Sequence, residues 1–188
     1  MKALRLALAS DTFLPQVNGV ARTLGVLVRE LVRRGAEVRV FTTTDPNAVA
    51  ASDITRFPSV AFWAYPQLRM AAPGARLQAE LRAWRPTLVH AATPFGVGLA
   101  ARAAAKSLGI RFVTSYHASL SAYAKFYQLG ALAEPGWNFL RWFHNSGAMT
   151  FVPSPPVADE LAARGFTSLR LWSRGVDGRH FNPRHRSL

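Results

Sequence analysis

Short apolar runs alternate with longer stretches of helical period along most of the chain. Residues 4–9 (LRLALA) and 37–42 (EVRVFT) have strand length and β-forming composition. Between them, residues 20–34 place Val20, Leu24, Leu27, Leu31 and Val32 on one helical face, and Gly35 ends the helix. This βαβ unit predicts a parallel strand pair with a right-handed crossover. The pattern repeats, with strands at 53–57, 87–92, 110–115, 148–153 and 168–172 and helices at 75–83, 95–107 and 157–164. Pro155 and Pro156 open the last helix, with Ser154 as its candidate N-cap. Such alternation predicts an α/β fold: a doubly wound, Rossmann-like parallel sheet in one domain. Residues 119–147 interrupt it with an aromatic-rich excursion (Tyr123, Phe126, Tyr127, Trp137, Phe139, Trp142, Phe143). One or two amphipathic helices broken near Pro135-Gly136 are expected there, and core packing is favoured over a ligand platform.

In an open parallel sheet, ligands bind beyond the carboxyl ends of the strands. Polar residues gather at those ends: Asp11 to Gly19, Thr43 to Asp45, Thr93 to Gly96, Tyr116 to Ser119, and Ser154. The loop Asp11-Thr-Phe-Leu-Pro-Gln-Val-Asn-Gly19 joins a strand to a helix without a GxGxxG or Walker A pattern. Gly19 would let a ligand approach the backbone, and the free amides of the next helix suit a phosphate. Taken alone, Asn18-Gly19 is better explained as a simple turn that starts the helix. His117, just after a strand, could exchange hydrogen bonds with a hydroxyl-rich ligand or be a satisfied core histidine. His90 lies inside a strand and reads as structural, and no two of His144, His180 and His185 have metal-ligand spacing.

Composition narrows the classes. There is no cysteine, which excludes disulfides and thiolate metal sites and fits a cytosolic setting. The apolar part of MKALRLALASDTF is only strand-long and Asp11 interrupts it, so it reads as a first strand, not a signal peptide. No apolar stretch approaches the roughly 20 residues that span a bilayer. The 23 basic residues exceed the 10 acidic ones by 13, and all but Lys2, Lys106 and Lys125 are arginine. Their scatter, with only Arg33-Arg34 and Arg184-His185-Arg186 as clusters, argues against a nucleic-acid arm. It suits anionic headgroups or phosphorylated ligands, or reflects an arginine-favouring composition.

Three stretches together carry a resemblance. Asp11-x-Phe13-x-Pro15-x-x-Asn18-Gly19-Val20 resembles the opening loop of retaining GT-B glycosyltransferases of family 4. Tyr116-His117 resembles the family's sugar-contacting strand end. Val152-Pro153-Ser154 and Gly175-Val176-Asp177-x-x-x-Phe181-x-Pro183 resemble its closing strand and inter-domain crossing. Ser115-Tyr-His, Tyr123 and Phe143-His-Asn look closest to members that glycosylate membrane lipids, such as mannosyltransferases and sulfoquinovosyl diacylglycerol synthases. His117 is followed by Ala118 where the family usually has Thr, and Ser146-Gly-Ala-Met149 lacks a common Asp.

The resemblance implies one half of a two-domain enzyme. Residues 1–183 would be the acceptor-side domain and 184–188 the start of the linker; the nucleotide-sugar domain with its Glu-x7-Glu signature would follow. It implies that His117 contacts the transferred sugar and that Asn18, Gly19 and Val20 approach the donor's phosphates. Asp11, Gln16, Tyr116 and Tyr123 would bind the acceptor. The expected donor is a UDP- or GDP-sugar, the acceptor a lipid or glycan, and no metal or other cofactor takes part. An anionic membrane surface is an expected partner, nucleic acid is not, and the expected location is cytoplasmic, peripheral at the inner membrane face. This chain alone would be inactive. The rivals are a stand-alone nucleotide-binding Rossmann protein, which should carry the glycine fingerprint, and a basic membrane or nucleic-acid module without catalysis.

Overall fold

A computed structural model describes residues 4–62, 65–117, 133–174 and Arg184. Seven parallel strands form the main sheet: β1 (Arg5–Ala9), β2 (Glu37–Thr43), β3 (Ile54–Phe57), β6 (Leu88–Ala91), β7 (Phe112–Ser115), β8 (Thr150–Val152) and β9 (Leu169–Leu171). Their order is β3-β2-β1-β6-β7-β8-β9. Strand succession reverses between β1 and β6, which is the switch point where a doubly wound sheet opens a crevice. The helices are α1 (Gly19–Arg33), α2 (Gly74–Trp84), α3 (Gly96–Leu108), α4 (Ala133–Asn145) and α5 (Pro155–Ala163).

Strand alternation divides the core. Leu6, Leu8, Val38 and Val40 turn to the α1 side, where Leu24 is fully buried. Ala7, Ala9, Phe41, Val89 and Ala91 turn the other way, onto Leu77 and Leu81 of α2 and Val97, Ala101 and Ala105 of α3. Small side chains on both surfaces let α3 lie close to the sheet. Built Cβ atoms on Gly96 and Gly98 would sit 1.8 Å from the Ala71 carbonyl oxygen and 1.7 Å from that of Thr93, so any larger residue displaces backbone. A third cluster joins Tyr116, Trp137, Leu140, Val152, Leu161 and Phe166.

The expected sheet is present, with three differences. Val32 is 51% exposed, and Val28 packs in the stripe instead. Helix α4 starts at Ala133 and holds Pro135 and Gly136 in its first turn, where amides have no intrahelical acceptor and proline costs little; the residues before it, on which the expected break depends, lie outside those described. Ser154 is the N-cap residue of α5, yet its side chain makes no capping hydrogen bond. An antiparallel ribbon, β4 (Ser59–Phe62) with β5 (Tyr65–Ala71), was not anticipated. Its register shifts between Ala61 and Phe62 and Pro66 lies inside β5, which obscure the strand period.

Within α4, Trp137 and Phe143 are core, and His144 is buried as well, which removes it from any interfacial surface. Phe139 and Trp142 remain partly exposed, with the Arg102 guanidinium 3.8 Å from the Trp142 ring centre. No described helix is long and apolar enough to cross a membrane.

Candidate functional site

The loop after β1 is the best-tied segment at the carboxyl edge. Asn18, extended at φ −146°, caps α1 by accepting from the Ala21 amide at 2.8 Å. Its Nδ2 donates to Thr12 Oγ1 at 2.7 Å, and Thr12 in turn donates to Gln16 Oε1 at 2.6 Å. Arg56 fastens the loop from β3, donating to the carbonyls of Thr43 and Leu14. Asn18 is therefore spent on holding the loop and starting α1, while the helix's first amides stay open. Arg22 makes the first intrahelical bond, to the Asn18 carbonyl, so nothing within α1 accepts from Gly19 or Val20. A Cβ built on Gly19 meets nothing within 4 Å. Unlike Gly96 and Gly98, Gly19 is not demanded by packing within this chain. Val20, half-buried, packs on the α1-side core.

Asp11 has a different position from the one implied for acceptor contact. It has no exposed surface, and its carboxylate accepts from Thr93 Oγ1 at 2.6 Å and from the Val97 amide at 2.8 Å. Thr93 completes the pair by accepting from the Asp11 amide at 2.7 Å. Phe95, at the N-cap of α3, provides no side-chain cap, so a carboxylate 86 residues earlier supplies one. Burial pushes the Asp11 carboxyl above its ordinary range, against the opposing pull of Thr93, Val97 and Gly98. Asp11 thus clamps the two loops that flank the switch point and can only shape a pocket from beneath.

His117 stands further along the same edge. Arg174 Nη2 lies 3.1 Å from its Nδ1 and 3.4 Å from its carbonyl oxygen. Ser115 Oγ lies 2.7 Å from His117 Nε2 and 2.9 Å from Nε2 of buried His90. Trp172 meets both imidazoles edge-on, with ring centres 5.7 Å from His117 and 6.2 Å from His90. Burial, with Arg174 adding to it, holds the His117 pKa down at about 3, and burial alone takes His90 to about 4. Both rings are neutral at physiological pH. Tyr116 is buried between His144 and Phe166, in the third core cluster. Tyr123, Ala118 and the 175–183 crossing lie outside the described residues.

The structure therefore brings Asp11, Gln16, Asn18 and Gly19 together on one side of the switch point and His117 on the other. Sequence reasoning gave no role to Ser115, Arg174, Trp172 or Arg56, and placed His90 only as structural. Thr93 was visible only as a strand end. For Ser115 and His90 the available signal was period: polar residues at the last inward positions of adjacent buried strands require partners.

Comparison with known proteins follows the same outline. The profile of Glycosyltransferase Family 4 matches residues 17–179. The chain is 29% identical, over its whole length, to the GDP-mannose-dependent alpha-mannosyltransferase of Corynebacterium glutamicum, of which it covers 47%. It is 32% identical over 91% of its length to the sulfoquinovosyl transferase SQD2 of Arabidopsis thaliana, covering 35% of that protein. Alpha-monoglucosyldiacylglycerol synthase of Streptococcus pneumoniae is also 32% identical, with 85% of this chain and 37% of that protein covered. Among solved structures, sucrose-phosphate synthase from Thermosynechococcus elongatus superposes with a TM-score of 0.58 at 16% identity, over 89% of this chain and 47% of the other. The chain spans about half, or less, of the length of the curated relatives it matches.

Proposed function

This chain belongs to glycosyltransferase family 4, and on that premise we propose that it is the acceptor-side domain of a retaining, nucleotide-sugar-dependent glycosyltransferase acting on a membrane lipid. The reading rests on one observation above others: open amides and empty space at Gly19, beside a loop tied down by its own side chains, at the sheet's switch point. A helix start of this kind offers donors and a positive dipole end to a diphosphate without rearrangement. In this reading the leaving diphosphate sits over Gly19 and Val20, the transferred sugar lies toward His117, and the acceptor enters past Gln16. Charge developing on the diphosphate is met by fixed amides and arginine, which is where preorganised electrostatics lower a barrier.

The lipid acceptor is supported by the relative from Streptococcus pneumoniae, an alpha-monoglucosyldiacylglycerol synthase, and the excess of 13 positive charges suits an anionic bilayer. GDP-mannose is the first donor to try, because the corynebacterial relative depends on it. In this reading the donor is gripped mainly by a second domain of the complete enzyme.

The test uses the coding sequence extended to the relatives' length. Nucleoside diphosphate release is measured over a panel of UDP- and GDP-sugars, with and without membrane lipid extract, beside H117A and G19A. Lipid-stimulated release that falls in both variants supports the assignment. A folded protein that releases nothing from any donor, yet binds anionic vesicles or duplex DNA at low salt, would transfer the weight to a non-catalytic basic module.

A further inference from the structure

Hydrogen-bond polarity at His117 can be read outward from a group that has only one choice. An arginine guanidinium donates and never accepts. Arg174 Nη2, at 3.1 Å, therefore makes His117 Nδ1 an acceptor, which places the proton of a neutral ring on Nε2. That Nε2–H points at Ser115 Oγ, 2.7 Å away, so the serine accepts there and its own proton is free to go on. It goes to His90 Nε2 at 2.9 Å, which fixes His90 as the Nδ1–H form. His90 is buried and Ser115 is 2% exposed, so water cannot readily replace either partner.

We infer that Arg174 sets His117 as its Nε2–H tautomer, with Nδ1 turned outward as a hydrogen-bond acceptor, and that Ser115 and His90 are positioning residues that carry the Nε2 proton's hydrogen bond into the core. It follows that His117 accepts a hydrogen bond from a hydroxyl of its ligand and does not protonate it. Because Arg174 also reaches the His117 carbonyl, a sugar hydroxyl must replace the guanidinium before it can use either acceptor. The displaced arginine is then available to an anionic group beside the sugar. The ligand part of this inference rests on the proposed function; the tautomer part does not.

Nitrogen-15 NMR on histidine-labelled chain at pH 7 reads the tautomers without substrate. Expected are a protonated Nε2 and bare Nδ1 for His117, and the reverse for His90. R174M removes the one group that can only donate, so His117 should lose the preference and show mixed tautomers, because the Ser115 hydroxyl can turn to donate to Nε2, and its titration should move upward. S115A should keep the Nε2–H form, since Arg174 still donates to Nδ1. A His117 protonated on Nδ1, a doubly protonated ring at pH 7, or a tautomer kept in R174M but lost in S115A would each overturn the proposal. If S115A does not fold, wild type and R174M still decide it. In the extended enzyme, S115A should lower kcat/KM roughly tenfold or more, as loss of an orienting partner of a functional histidine does. An extended wild-type enzyme that transfers no sugar would sink the proposed function and leave the tautomer result standing.

Discussion

Asp11→Ala distinguishes a carboxylate that holds the fold from one that meets an acceptor. The substitution removes the acceptor of two buried donors, Thr93 Oγ1 at 2.6 Å and the Val97 amide at 2.8 Å. A buried donor left unpaired costs about 1–3 kcal/mol, more when its partner was charged. Loss of a helix cap, counted within the Val97 bond, is typically about 1 kcal/mol. Against this stands relief from burying a charge, which the raised Asp11 pKa reports. The balance is a loss of about 3 kcal/mol. Asp11→Asn keeps an acceptor for Val97 and disturbs only the Thr93 contact, so it should cost about 1 kcal/mol.

Urea unfolding followed by far-UV circular dichroism reads both. With a slope near 2 kcal/mol per molar, the D11A midpoint falls by roughly 1.5 M at unchanged slope. A D11A midpoint within roughly 0.3 M of wild type, or D11N as damaging as D11A, would refute the clamp and return Asp11 to the list of ligand contacts. The clamp joins the loop after β1 to the start of α3, so the same variant should also weaken any ligand bound between them.

The remaining predictions use the same structure. Gly19→Ala should change stability by less than about 0.5 kcal/mol, because its Cβ enters open space, while donor binding in the extended enzyme falls. Gly98→Ala, with a Cβ 1.7 Å from the Thr93 carbonyl oxygen, should give little soluble folded protein; a normally folded G98A would contradict the close packing of α3. Ser154→Ala should leave the melting temperature unchanged within error, as no side-chain cap is lost. Acid should destabilise the chain through His90 and His144, both held at about 4 when folded. Unfolded histidines titrate near 6.5, so between roughly pH 6.5 and 4 the unfolded state binds more protons, and stability falls by about 1.4 kcal/mol per unit for each. Thermal melts from pH 7 to 4 would show it, and a melting temperature flat over that range would count against neutral burial.

The sheet was legible because its central strands are buried on both faces and its helices carry clean stripes. Val32 misled because it is apolar and eight residues from Leu24, yet that spacing sets it at the edge of the stripe while Leu31 stays packed on the core. Pro135-Gly136 lies in the first turn of α4, the one place where a helix tolerates proline at little cost. Site residues were legible as types at strand ends, as with Asn18, Gly19 and His117. Their partners were not. Asp11 to Val97, His117 to Arg174 and Ser115 to His90 span 86, 57 and 25 residues, and no local spacing encodes such pairings. At Asn18-Gly19 the structure adds what spacing could not give: Asn18 is a cap, and the space over Gly19 is open.

Strand β7 supplies a last argument for His117 over the chain's other buried histidines. Thr114 and Ser115 are adjacent, so the pleat sends their hydroxyls to opposite faces. On the α3 side, Thr114 Oγ1 lies 2.8 Å from His144 Nδ1 and 2.9 Å from Thr150 Oγ1, and Tyr116, Phe143 and Phe166 surround the ring. That relay ends in core, and its product is a satisfied, neutral histidine. On the α1 side, Ser115 begins a relay that leaves the core through His117 and ends on Arg174, a partly exposed cation. Both arrangements hold an imidazole neutral by burial. Only one exposes the far nitrogen to a partner that can exchange, and a ligand-binding histidine requires that exchange. The difference lies in which face of β7 each hydroxyl occupies, one residue apart.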